Sequence, residues 1–586
     1  MRNFHLLCAG LCLAVACLFL NADVQAQLSP SWLEVGENLS ARSLTLTGAG
    51  ELLIVGQGSF QAGVGIGGES YAGHAETSAL LALLGPDNTV RWIKQGAFRG
   101  RMEEEAIGGE LLQGFLGAID HEGNFYTSEG YPTVVDAGML AQGGVSINKY
   151  DPAGDPLWSI PIHPPVMHFD EQPAFVAGLG LDAAGDVYIA GNFRDTLILA
   201  GDTLVAAPSH TMYPTSDLFI ARFSPDGALR WSRRLGGAAD EDMIGGFDDG
   251  AFAVDEAGNS YLAGYFAGGT VFDDGPVADP NLSTMYPIVS YDPEGGVRWV
   301  RTPADFGIGE NAAPVRLAAS AGGGLYVVWT YWELDGQLDV MVGDQTFRDP
   351  GSRGSFLTKL TANGALAWAR PLTSDGNEIV YSMAVDARER VCVAGTFDGL
   401  FMRLGNRELR KNALQEDKSD GFCGCYSAEG DLLSTVQAAG KNWQRIRAIA
   451  LGETGDLYIA GTFTDELSLG SGRLTHAGDA SFFARFDAAT VTSSERPDAA
   501  GVSRLEVYPN PAGPRATIRY FVDVAGPVRL AVYDVLGREV AVLVDAVQEA
   551  GVYEAVFDTQ GMPAGMYVYR LRAGGELRSG AVLLNR

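Results

Sequence analysis

The sequence predicts an all-β protein: a seven-bladed β-propeller followed by a small Ig-like β-sandwich. Three observations predict it. A turn-plus-strand phrase recurs seven times, a second phrase ending on tryptophan trails most copies, and the last 84 residues alternate apolar and polar positions between different turns. At 586 residues the chain is too long for one ordinary core, and its 76 glycines point to many turns.

Residues 1–26 come first. Met1-Arg2-Asn3, an apolar stretch from Leu6 to Leu20 and then "NADVQA" have the order of a secretory signal, with cleavage expected between Ala26 and Gln27. The apolar run falls short of the ~20 residues a spanning helix needs, so no stable membrane insertion is expected.

Residues 27–490 hold the repeat. The first phrase opens its strands with "GELLIVGQ" at 50, "GNFYTSEG" at 123, "GDVYIAGN" at 185, "GNSYLAGY" at 258, "GGLYVVWT" at 323, "RERVCVAG" at 388 and "GDLYIAGT" at 455. The second phrase includes "INKYDPAGDPLW", "FIARFSPDGALRW" and "FLTKLTANGALAW". Each unit therefore holds four short strands. In 177–236 these read "AGLGL", "DVYIAG", "LFIARF" and "ALRWSRR", joined by the turn tetrapeptides "DAAG" and "SPDG". Val187 and Ile189 alternate with Tyr188 and Ala190, so both faces of the second strand are apolar and both must be covered. Units packed face to face around an axis meet that condition, and the small residues of "AGLGL" suit a crowded centre.

The seventh copy stops at "FFARFDAAT" without its outer strand, whereas Trp32 stands alone in "SPSWLEVGEN" before the first unit. Residues near 30–36 are expected to supply the missing strand and close the ring at Trp32, replacing an open edge with backbone hydrogen bonds. These units resemble the seven-bladed β-propeller repeat of secreted bacterial proteins, D-x-x-G-N-x-Y-x-x-G-x-T followed by an aromatic-rich strand and G-x-x-x-W. That resemblance implies a fold and no single activity.

A polar linker, 491–502, precedes the tail at 503–586. "RLEVYPNP", "ATIRYFV", "GVYEAVFD" and "GMYVYRLRAG" read as strands of a small sandwich. Tyr508, Pro509, Asn510 and Pro511, then "VYDVLGREV" with Gly537, "MPAGMYVYRL" with Gly565 and the terminal "GAVLLNR", closely resemble the C-terminal sorting domain of the type IX secretion system. The resemblance implies transport across the outer membrane by that machinery and delivery to the exterior or the cell surface.

The formal net charge is -31, and the tail carries nine arginines against nine acids, so the excess lies between 27 and 502. Such a surface repels nucleic acid and anionic membranes. Cys392, Cys423 and Cys425 are the cysteines beyond the signal. They form no disulfide framework; one bridge among them is conceivable, with buried thiols the favoured reading.

Carboxylates recur in the segments expected on one side of the ring: Asp170 and Glu171; Asp240, Glu241 and Asp242; Asp375 and Glu378. Solvated charge is the first reading, because no EF-hand spacing is present. His163 and His168 lack a third metal ligand at a fixed spacing. No G-x-S-x-G, H-E-x-x-H or P-loop occurs, and no cofactor is expected. The leading expectation is a monomeric, noncatalytic exported protein that binds a protein or glycan. Its rival is a glycan hydrolase or lyase using convergent acids, with Asp240, Asp242, Asp375 and Glu378 as the suspects.

Overall fold

The computed structural model describes residues 28–584 except 29, 60–62, 67–68, 73–77, 96–115, 132–134, 137–138, 141–143, 164–173, 208–215, 238–250, 268–269, 273–274, 277–283, 310–311, 333–338, 349–352, 406, 412–416, 489–504, 509–511, 523–525, 535–537, 549–550 and 574–575. The chain divides into two compact units, Met1–Ser494 and Glu495–Arg586. Among the described residues both are built mainly of strands, with a 3-10 turn at Pro303–Phe306 in the first.

In the first unit, six sets of four consecutive antiparallel strands follow one another along 39–95, 116–163, 174–235, 252–301, 312–374 and 378–440, three of them forming separate sheets and three lying within sheets of six or ten strands. A seventh takes three strands from 442–486. Its outermost strand is Trp32–Glu37, where Trp32 lies opposite Arg485 and Val35 opposite Phe482. The innermost strand of each sheet touches those of the sheets before and after it, and the innermost strand of the seventh, Asn442–Leu451, touches that of the first, Leu39–Leu46. Between sheets the apolar faces meet. Leu53, Val55 and Phe125 pack across the first and second, Cys392, Ile449 and Phe482 across the sixth and seventh, and Leu44, Tyr458 and Phe483 across the seventh and first.

Sheet registers show why the phrase "DxxGxxYxAG" repeats. The turn Asp accepts from the backbone N–H groups two and four residues on, as Asp182 does from Ala184 and Asp186 at 2.9 Å each, while Gly185 supplies the positive φ of 79°. The Tyr six residues after the Asp donates its hydroxyl back to that carboxylate: Tyr126 to Asp120 at 3.0 Å, Tyr188 to Asp182 at 3.3 Å and Tyr261 to Asp255 at 3.1 Å. Opposite the Tyr, on the third strand, stands a cation, and opposite the cation a Trp: Tyr126–Lys149–Trp158, Tyr188–Arg222–Trp231 and Tyr326–Lys359–Trp368. The indole N–H then donates to a turn of the following sheet, Trp158 to Pro225 O at 3.1 Å, Trp231 to Pro293 O at 2.9 Å and Trp368 to Ala428 O at 2.9 Å. One cross-strand row thus ties its own turn to the next sheet.

The departures from this row are informative. The seventh sheet reads Tyr458–Arg485–Trp32, and Arg485 donates to Pro86 O of the first sheet at 3.0 Å. In the sixth the row is Cys392–Cys425–Ser434. There Cys392 and Cys425 are bonded as a disulfide and Cys423 stays a buried free thiol, which overturns the preference for three thiols. The physical reason is register: the two cysteines are direct cross-strand neighbours, with Cα atoms 4.0 Å apart.

Strands two and three of a sheet are joined in several cases by a further hairpin that pairs onto the outermost strand of the preceding sheet. Leu199 lies opposite Ile162, Leu404 opposite Leu372, Leu469 opposite Ala438, and Ile66 of the first sheet opposite Gly36 of the strand Trp32–Glu37. These hairpins cover edges that would otherwise be open.

The second unit has a three-stranded sheet (Leu505–Tyr508, Arg515–Val522, Gly551–Asp558) and a four-stranded one (Gly526–Tyr533, Glu539–Gln548, Gly565–Ala573, Glu576–Leu584). Ile518 and Phe557 of the first share a core with Leu530, Val532 and Leu571 of the second. Gly565, at φ 151°, opens its strand opposite Leu584.

Candidate functional site

The repeated glycine of the "AG" pair does more than end a strand. In five sheets the innermost strand carries one extra residue at the same place, so that the ladder register skips Arg42, Ala177, Val315, Tyr381 and Arg447. Glycine stands beside four of these bulges. A Cβ on Gly56 would fall 2.1 Å from Ser40 O, on Gly395 1.8 Å from Ile379 O and on Gly461 2.1 Å from Arg445 O, so these three bulges leave no room for a side chain there, whereas the fifth sheet makes its bulge opposite Trp329. A bulge re-aims the residue it displaces.

Three displaced residues, Arg42, Tyr381 and Arg447, line one cavity of about 170 Å³, together with Arg316, the neighbour of a fourth, and Ser382. Its walls come from the innermost strands of the first, second, fifth, sixth and seventh sheets. The arginines are anchored. Arg316, 6% exposed, donates from Nε to Tyr381 O at 2.8 Å and from Nη1 to Val315 O at 2.7 Å. The Arg447 guanidinium sits 4.2 Å from the centre of the Tyr381 ring. Ser382 Oγ accepts from Ile449 N at 3.1 Å, tying the sixth inner strand to the seventh.

The residues singled out from sequence are placed as follows. Asp375 Oδ1 accepts from Phe401 N at 2.9 Å and holds the start of a hairpin. Glu378 is 0% exposed at the head of the strand Glu378–Val385, opposite Phe397. Neither lines the cavity. Asp170, Glu171, Asp240, Glu241, Asp242, Ala26, Gln27, Pro509, Asn510, Pro511 and Gly537 lie outside the described residues, and Tyr508 ends a strand opposite Thr517. Among the described residues no group of three His, Cys, Asp or Glu is placed to hold a metal, and no helix is long and apolar enough to cross a membrane.

Sequence reasoning expected small side chains at the centre and missed the arginines. "AGLGL" of the third sheet fits that expectation, but "SARSLTL", "APVRLAA" and "RIRAIAL" do not. The signal was a long polar residue inside each first strand. Reading it required the register of the bulge.

Residues 506–582 match the family described as "Secretion system C-terminal sorting domain". The tail is therefore a type IX sorting domain, and it marks the chain for export to the cell surface or beyond. A search of the curated proteins finds no match. Among solved structures, a fungal alcohol oxidase of the AA5 family in complex with copper is similar at 10% identity and a TM-score of 0.35, covering 95% of this chain and 100% of that one. A protein of unknown function from Dyadobacter fermentans aligns at 8% identity and a TM-score of 0.34, over 78% of this chain and 99% of its own. Dimeric latent PorU from Porphyromonas gingivalis aligns at 12% identity and a TM-score of 0.15, over 75% of this chain and 31% of that one. At these scores the structural likenesses carry no argument about activity.

Proposed function

We propose that residues 27–490 form a closed seven-bladed β-propeller that serves as an exported, noncatalytic binding module, with 503–586 as an Ig-like tail that the type IX machinery recognises. The observation that carries the ring is the row Tyr458–Arg485–Trp32: the last sheet repeats the Tyr–cation–Trp order of the second, third and fifth with a tryptophan drawn from the start of the chain. Cyclic contact among the inner strands supports the same reading.

Binding is favoured over hydrolysis by the use to which the described acids are put. Asp375 fastens a hairpin, Glu378 is buried at a strand head, and the cavity on the inner strands is walled by arginines and a tyrosine. Glycoside hydrolysis needs two carboxyl groups facing one cleft. Export is tested by expressing the chain without 503–586 in a type IX-competent host. A folded, protease-resistant product retained in the periplasm is expected. Surface delivery of the truncated chain refutes the role of the tail.

A further inference from the structure

We propose that Trp443, with Lys418 and Arg445 held against its ring, is the docking point for a uronate residue of an acidic glycan. The proposal rests on reading the first unit as a binding module and names the ligand class of that module.

Trp443 is the second residue of the strand Asn442–Leu451, at the end opposite its turn, and it is 40% exposed. An indole left in water at a strand head keeps part of its apolar area for a ligand. Local structure fixes the group. The third strand of the sixth sheet, Asp417–Tyr426, runs parallel to this strand head, with Asp417 opposite Asn442 and Ser419 opposite Trp443. That pairing brings Lys418 Nζ to 5.4 Å from the indole centre, and Arg445, two residues along, lays its guanidinium at 4.7 Å. Between them Gln444, 0% exposed, donates to Glu466 O at 3.3 Å and accepts at its own carbonyl from Thr396 Oγ1 at 3.1 Å. A ligand arriving on such a site orders little, which favours affinity.

Contact with a ring face leaves the N–H groups of a cation free to donate around its rim. In a chain of formal charge -31, neither Lys418 nor Arg445 enters an ion pair among the described residues. Asp465, the acid beside Asn442, accepts from Gly478 N at 3.0 Å and from Asn442 Nδ2 at 3.3 Å. An apolar face with cations at its edge matches a pyranose ring bearing a carboxylate: the C–H face lies on the indole and the carboxylate meets the cations. An acidic peptide presents its carboxylates on flexible stems, whose ordering costs more. Acids elsewhere on the surface are screened beyond about 8 Å at about 0.15 M salt, so a short acidic chain binds where a long one meets repulsion.

Isothermal titration of the chain 27–586 at constant ionic strength tests this with trigalacturonate, its methyl ester, trimannuronate and hexaglutamate. Trigalacturonate or trimannuronate should bind, and the uncharged ester should bind more weakly than its acid. Trp443→Ala should weaken that binding about tenfold or more, and Lys418→Gln and Arg445→Gln several-fold each, with the unliganded melting midpoint unchanged. If Trp443→Ala fails to fold, Lys418→Gln, at an exposed side chain, carries the comparison. Absence of binding by both acidic sugars, an ester that binds equally well, or hexaglutamate binding as tightly as the sugars overturns the proposal. Sugar binding that all three variants retain removes Trp443 as the site and leaves the binding module standing, so the two readings fail separately.

Discussion

Single residues show how each departure from the repeat is compensated. The fifth sheet has Ser320 where its neighbours have a turn Asp, and Glu389 of the sixth supplies the carboxylate, accepting from Ser320 Oγ at 2.7 Å and from Gly322 N at 2.9 Å. Its hydrogen bond from Lys359, chiefly, holds the Glu389 carboxyl below the usual glutamate range. A carboxyl depressed in the folded state stabilises above its unfolded value near 4.5 and loses that contribution as pH falls through its folded value. Glu389→Gln should therefore lower the midpoint of chemical denaturation at pH 7, and the gap to wild type should close towards pH 3. A gap independent of pH contradicts the pairing. In the sixth sheet the disulfide spans a separation of 33 residues, so Cys392→Ser with Cys425→Ser should cost about 4 kcal/mol by loop entropy. Urea denaturation with and without reductant measures it. Burial pushes the Cys423 thiol up to about 12, so it should resist iodoacetamide at pH 8 until the chain is unfolded.

Strands and turns carry the next level of specificity. The tryptophan row joins sheets through one hydrogen bond and one ring face: Gly295 packs its backbone on Trp231, where an added Cβ would fall 3.0 Å from the ring. Trp231→Phe keeps much of the ring and loses the donor, so it should cost about 1 kcal/mol, read as a shift in denaturation midpoint. Gly461→Ala puts a methyl 2.1 Å from Arg445 O and forces the bulge to move. A loss of about 1–3 kcal/mol is expected, read as a shift in denaturation midpoint. Wild-type stability removes the link between the glycine and the bulge.

For the first unit as a whole, the proposed closure is the property to test. The strand Trp32–Glu37 pairs with Gly472–Phe486 on one edge and receives the hairpin Val64–Ile66/Glu69–Tyr71 on the other. Deleting 27–37 exposes both edges together. It should broaden the melting transition of the first unit and lower its midpoint in differential scanning calorimetry, whereas an unchanged transition rules out a strand that completes the ring.

The sequence alone determined the all-β class, the seven-fold phrase, the tail and its sorting role, because turn residues at fixed offsets and alternating apolar positions are local signals. It also isolated Trp32 as a tryptophan without a unit. Only the tertiary structure decided which residues stand opposite one another. Cys392 and Cys425 are 33 positions apart and become neighbours through register. Arg42, Arg316 and Arg447 lie far apart in the chain and line one cavity through the pairing of the inner strands, with glycine opposite the bulges at Arg42 and Arg447 and Trp329 opposite the one beside Arg316. Side-chain convergence of this kind depends on distances across strands, which a linear pattern does not contain.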